Sequence, residues 1–283
     1  MEKQTPPFCI QVELTEGCNL ACSFCGIAGI RDNGASGPEN IRGKGSPPYK
    51  FLTLENADIL SREILKACDE DGWNPRIEMA MHGEPTMNPD YLEIVRLLRK
   101  ALPNTHLQMT TNGGGLLRGD LVTNINDLMD AGLNVLLLDN YEGIKICDKV
   151  VDVYKGPHPL LFYPQDKKAN PHRRRKPSEH DIVVTQDIST ASQGNHATVN
   201  NHAGSAFPPN DRAEGRRCAK VFREISVRWD GSVAICCNDW PGFYRCGNVV
   251  TMESFNTIWQ GGFPCRKKKI IPWTARFWPM CWL

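Results

Sequence analysis

Hydrophobic positions along this chain change rhythm twice. From residue 8 to about residue 188, short apolar runs alternate with longer segments whose apolar residues recur at helical spacing. The runs FCIQVELTEG, RIEMAMHG, HLQMTTNG, NVLLLDN, PLLFYPQD and DIVVTQDI predict six strands. Between them, LENADILSREILKACDE (with Thr53 as its N-cap), DYLEIVRLLRKAL, DLVTNINDLMDAG and IKICDKVVDVYK predict helices. Residues 189–217 are polar, rich in Gly, Asn and Pro, and show no period, which predicts a long loop or linker. From residue 218 alternation returns on both sides of Asp230-Gly231, a hairpin signal, and SFNTIWQG predicts a short helix capped by Ser254.

After the first loop the strands return at intervals of about 22–30 residues with helices between them, which predicts an α/β fold with a parallel sheet. A doubly wound sheet and a partly open barrel both fit. Six strands fall short of an eight-unit barrel. In either architecture function sits at the C-terminal ends of the strands. The segments that leave the strands there are GCNLACSFC, HGEP, TNGGG and Asp139-Asn140, and the Gly/Pro-rich residues 26–50 form a long loop on that face.

Composition narrows the function classes. The 283 residues suffice for one large domain, alone or with a small second one. With 33 basic and 32 acidic residues the net charge is +1, which does not call for nucleic acid or an acidic membrane as the main partner. The basic cluster Lys167, Lys168, Arg173, Arg174, Arg175 and Lys176 has no interleaved aromatics and reads as a solvated loop, with an RNA or phosphate contact as its functional alternative. No apolar run reaches the ~18 residues of a membrane span, and the N-terminus lacks a signal-peptide layout. A reducing cytoplasm is the expected compartment. There, twelve cysteines point to metal or redox chemistry more than to disulfides. Cys9, Cys68 and Cys147 lie in apolar periodic segments and read as small core residues.

Cys18, Cys22 and Cys25 are spaced CxxxCxxC in the loop after the first strand. A cubane iron–sulfur cluster normally takes four thiolates, so three on one loop leave one iron open to a small molecule. A zinc knuckle would need a fourth Cys or His nearby, and the first histidine is His82. This loop, with Phe24 before its last cysteine, resembles the cluster loop of radical S-adenosylmethionine (SAM) enzymes. The resemblance extends to His82-Gly83-Glu84-Pro85, similar to the family's GGEP motif, to Asn112 in TTNGGG, and to Asp139 at the end of the fourth strand. It implies a partial (β/α)6 TIM-like barrel. It also implies a 4Fe–4S cluster on the three cysteines with SAM chelated at the fourth iron, and reductive cleavage of SAM to a 5′-deoxyadenosyl radical that abstracts a substrate hydrogen. Phe24, His82, Gly83, Glu84, Pro85, Asn112 and Asp139 become candidate SAM-site residues. No catalytic side chain is assigned.

Cys218, twelve residues, then Gly231-x4-Cys236 on a hairpin resembles the start of the SPASM or twitch extension, and CNDW, CGNV and SFNTIW add to the likeness. The end of the chain departs from the full pattern, offering single cysteines, Cys265 and Cys281, in the tail FPCRKKKIIPWTARFWPMCWL. The resemblance therefore implies one auxiliary 4Fe–4S cluster on Cys218, Cys236 and one or two of Cys265, Cys281, Cys237 and Cys246. A zinc-bound or metal-free hairpin is the alternative. The domains expected are a core over residues 1–188, a linker over 189–217 and a small hairpin-plus-helix extension over 218–283. The implied partners are a peptide or small-molecule substrate and a reductant such as flavodoxin or ferredoxin. Modification of a nucleoside or RNA is the alternative enzymatic reading, and a non-catalytic iron–sulfur or zinc protein that binds nucleic acid is the alternative of another class.

Overall fold

The computed structural model describes residues 5–20, 49–141, 144–163, 180–185, 220–240, 242, 244–251 and 253–262. Cys22, Phe24, Cys25, Cys218, Cys265 and Cys281, the basic cluster, the linker and the aromatic tail lie outside them. In chain order the strands are β1 (Cys9–Val12), β2 (Thr15–Glu16), β3 (Lys50–Phe51), β4 (Arg76–Met79), β5 (Leu107–Thr111), β6 (Val135–Leu138), β7 (Leu160–Tyr163), β8 (Asp181–Thr185), β9 (Glu224–Val227), β10 (Ser232–Ala234) and β11 (Arg245–Asn248). The main helices are α1 (Leu54–Asp71), α2 (Tyr91–Ala101), α3 (Leu121–Asp130) and α4 (Ile146–Val153). A turn of α-helix (Phe255–Thr257) runs on into a π-helical segment (Ile258–Gly262).

Nine strands form one sheet in the order β11-β10-β9-β1-β4-β5-β6-β8-β7, parallel from β9 through β7. With helices connecting the core strands from β1 through β7, this is the α/β architecture of a partial TIM-like barrel. Two pairings lie beyond what the periodicity shows. The last two core strands exchange places, β8 lying beside β6 and β7 outside it. The hairpin joins the same sheet, since β9 pairs in parallel with β1 in the register Val12↔Val227.

Parallel strands covered on both faces are usually apolar throughout. These are not. In β1, β4, β5 and β9 apolar and polar residues alternate as CIQV, RIEM, LQMTT and EISV. Ile10, Val12, Ile77, Met79, Leu107, Met109, Ile225 and Val227 join the helix-covered core. On the opposite face Gln11 donates to Glu224 at 3.0 Å, and Arg76 meets Glu78 at 2.9 Å. Cys9 belongs to this polar face as well. Its thiol points at Glu78, and burial together with that carboxylate pushes its pKa up to about 12. The core-cysteine expectation is thus corrected for Cys9, which is buried among charged groups, whereas Cys147 is buried in the apolar cluster.

Local signals place the helices. Thr53 accepts from the Asn56 amide at 3.1 Å to start α1, and Gly72 ends it in the left-handed region at φ 68°. Ser254 caps the C-terminal helix through the Thr257 amide, and Trp259 there packs edge-on to Trp73 at 6.2 Å. Ile64, on α1, is fully buried under the sheet. Ile64→Ala should lower the unfolding free energy by about 2–5 kcal/mol in urea denaturation, with the slope of the transition unchanged.

Candidate active site

The C-terminal ends of β1, β4, β5 and β9 meet at one edge of the sheet. After β1 the chain runs through Glu13 to Glu16 and Gly17 to Cys18, and the turn after β4 is clamped onto this stretch. A Cβ on Gly83 would stand 2.0 Å from the Thr15 carbonyl oxygen and 2.4 Å from that of Gly17, so only glycine permits the approach. The Glu84 amide then donates to the Gly17 carbonyl at 2.8 Å. Asn88 Nδ2 donates to the carbonyls of Leu14 and Leu52, both at 2.9 Å. Met81 leads into the turn with φ 101°, a conformation that side-chain-bearing residues avoid unless their surroundings impose it.

Glu84 faces inward. Its Oε1 accepts from the Thr86 amide at 3.0 Å, the Thr86 hydroxyl at 2.6 Å and the Thr111 hydroxyl, and its Oε2 accepts from the Asn112 amide at 2.7 Å. Burial still outweighs these donors and holds its carboxyl above the ordinary range. The carboxylate thus welds the turn after β4 to the end of β5. Asn112, placed by that weld, reaches the cysteine loop: its Nδ2 lies 3.4 Å from Cys18 Sγ and 3.1 Å from Asn19 Oδ1. The Leu20 amide also donates to Cys18 Sγ at 3.4 Å. Pro85 opens a buried single-turn helix (Pro85–Met87).

His82 lies on the other side of the turn and is 1% exposed. Its Nδ1 is 2.8 Å from Glu13 Oε1 and its Nε2 2.7 Å from the Cys237 carbonyl oxygen. Its ring lies 4.7 Å from that of Trp240. A carbonyl can only accept, so Nε2 carries a proton. Beside it Arg228, 1% exposed, donates from Nη2 to Glu16 Oε2 at 2.5 Å and from Nη1 to the Asp239 carbonyl at 3.1 Å, and its Nε is 3.8 Å from Glu13 Oε2. Lys50 reaches Glu16 Oε1 at 3.2 Å. Burial works against the Glu13 charge, yet the Arg228 guanidinium and the His82 ring hold its carboxyl below the usual value. Sequence reasoning passed over Glu13, Glu16 and Arg228. The available signal is two acidic residues inside the run FCIQVELTEG, which the pattern predicts as a strand.

Asp139 is 9% exposed at the end of β6, where its amide donates to the Thr111 carbonyl at 3.0 Å. Asn140 Oδ1 accepts from the Cys147 amide in the first turn of α4 at 2.7 Å. In the hairpin Cys236 is buried and accepts at sulfur from the Asn238 amide at 3.4 Å. The Cys237 thiol hydrogen-bonds with the free Cys236 thiol, and that hydrogen bond together with burial raises its pKa well above the ordinary value. Cys246 is half-buried on β11. Among the described residues no three metal-ligating side chains converge, and the remaining cysteines assigned to clusters lie outside them.

Residues 12–139 match the Radical SAM superfamily and residues 218–281 the iron–sulfur cluster-binding domain SPASM. The chain thus contains a radical SAM domain and, toward its C-terminal end, a SPASM domain. It is 25% identical over 127 residues to GTP 3′,8-cyclase of Pectobacterium atrosepticum, a stretch that is 45% of this chain and 32% of the relative. The GTP 3′,8-cyclase of Yersinia pestis is 26% identical over the same coverage. The chain thus spans about a third of the length of the curated relatives it matches. Among solved structures it is similar to BtrN in complex with AdoMet and 2-DOIA, at 16% identity and TM-score 0.63, over 94% of this chain and 88% of that one. It is also similar to anSMEcpe with bound AdoMet, at 14% identity and TM-score 0.50, over 90% of this chain and 78% of that one. These likenesses show the fold. No helix among the described residues is long and apolar enough to cross a membrane.

The two domains imply a 4Fe–4S cluster and SAM for the core and further iron–sulfur ligation for the extension. The described donor set fits the first cluster: a sulfur that accepts two N–H groups, as Cys18 does, is solvated as a cluster thiolate is. Asn112→Ala removes one of those donors. It should move the reduction potential of the core cluster to more negative values in an EPR-monitored titration, and slow SAM cleavage about 10–100-fold.

Proposed function

We propose that this chain is a radical SAM enzyme that removes a hydrogen atom from a peptide or small-metabolite substrate, with Cys18, Cys22 and Cys25 holding the SAM-binding cluster. The carrying observation is the convergence on Cys18: the Asn112 amide reaches its sulfur, and the Gly83-Glu84 turn is clamped to the residue before it. When bound, the cluster supplies one electron to the sulfonium of SAM, giving methionine and the 5′-deoxyadenosyl radical that takes the substrate hydrogen. The protein's part is positional. Glu84 fixes the turn and Asn112 supports the cysteine loop. The backbone of His82-Gly83-Glu84-Pro85, with Asn112, Asp139 and Phe24, lines the SAM site.

The polar face of the sheet carries Gln11, Arg76, Glu78, Gln108 and Glu224, hydrogen-bonding groups of both signs. Such a lining favours a polar small molecule over an apolar one. The similarity to GTP 3′,8-cyclases favours a second reading, in which the substrate is a nucleotide or nucleoside. In the primary reading residues 1–188 form the radical-generating core, 189–217 the linker and 218–283 the auxiliary extension. Cys218, Cys236, Cys265 and Cys281 supply the auxiliary 4Fe–4S cluster, which accepts an electron from the substrate radical or helps to bind substrate. Flavodoxin or ferredoxin fits the role of reductant.

Alanine at Cys18, Cys22 or Cys25 should abolish 5′-deoxyadenosine formation after anaerobic reconstitution. Alanine at Cys218 or Cys236 should instead lower the iron and sulfide content by about one cluster while SAM cleavage persists. Zinc in place of iron, with no cleavage by the intact protein, would contradict the assignment.

A further inference from the structure

His82 stands where the family motif has glycine, and a side chain there has a specific consequence. Its ring bridges two segments about 220 residues apart in sequence: Glu13, at the root of the Cys18 loop, and the Cys237 carbonyl, in the hairpin next to Cys236. His82 and Glu13 are buried and Cys237 is half-buried, so the bridge is largely shielded from water. It is reinforced on the same two segments. Arg228 and Trp229, which follow β9, bond to Glu16 and Glu13, and the Arg228 guanidinium also holds the Asp239 and Trp240 carbonyls just past the hairpin cysteines. On its far side the histidine is continuous with Gly83 and Glu84, whose backbone packs on Thr15 and Gly17.

We propose that His82 is a positioning residue that couples the two cysteine loops, so that the state of the hairpin site sets the affinity of the core site for SAM. A buried element with fixed partners in both sites carries such coupling directly, and the coupling is reciprocal. A glycine at this position would leave both the Glu13 carboxylate and the Cys237 carbonyl without the ring. The inference rests on the reading that the three-cysteine loop binds SAM.

A double-mutant cycle on SAM affinity tests it. Equilibrium binding of SAM is measured with oxidised clusters, where no cleavage occurs, for the intact protein, His82→Gly, Cys236→Ala and the double variant. The expectation is that each single change weakens SAM binding about five-fold or more, and that the double variant binds no more weakly than the poorer single variant. His82→Gln, which keeps side-chain length and one hydrogen bond, should restore part of the coupling, and it carries the test if His82→Gly does not fold. Multiplicative effects of the two changes, or SAM binding indifferent to Cys236→Ala, would overturn the coupling. Failure of the intact, iron-loaded protein to bind SAM would instead overturn the underlying functional reading.

Discussion

Arg228 buried between Glu13 and Glu16 is the interaction on which the rest of the site depends. Removing three charged groups from water is costly, and it is tolerated only where the geometry is close and the remaining donors are satisfied. Here the Arg228–Glu16 contact is 2.5 Å, two backbone carbonyls take up the other end of the guanidinium, and Nε faces the Glu13 carboxylate at 3.8 Å as an ion pair without a hydrogen bond. Losing one partner of such a group typically costs about 3–5 kcal/mol, because the survivor is left buried and unpaired. The cluster therefore fixes one arrangement: the end of β9 beside the end of β1.

From that constraint the site follows in steps. The parallel register Val12↔Val227 brings the residues after both strands out side by side, so the stretch leading to Cys18 runs beside Arg228 and Trp229, and Arg228 in turn holds the carbonyls just past the hairpin cysteines. The turn after β4 fits between them because Gly83 lacks a side chain on the face toward Thr15 and Gly17, and because His82 has one on the face toward Glu13. Glu84 transmits this position to Thr111 and Asn112, and Asn112 returns it to Cys18. Each element of the site is thus held by backbone donors or buried charges rather than by loose surface contacts.

Much of this was legible in the sequence. The six core strands, the helices between them, the caps Thr53 and Ser254 and the turn at Gly231 all follow from local periodicity and local hydrogen bonding, which a single sequence encodes. The chemistry-bearing segments could be placed at strand ends for the same reason. Non-local partnerships could not. Nothing local says that β8 lies between β6 and β7, or that β9 runs parallel to β1. Cys9 looked apolar because its neighbours in sequence are, while its neighbour in space is Glu78. The period-2 alternation in β4, β5 and β9 was visible and carries the clearest missed message, since it marks a sheet with one polar face. Glu84, a candidate SAM-site residue, accepts hydrogen bonds from Thr86, Thr111 and Asn112, partners that no local pattern encodes.

The central claim is that this chain generates a radical from SAM. Anaerobically reconstituted protein, reduced in the presence of SAM, should release 5′-deoxyadenosine and methionine in equal amounts, in proportion to its iron and sulfide. Protein fully loaded with iron and sulfide that leaves SAM intact under strong reduction would contradict it.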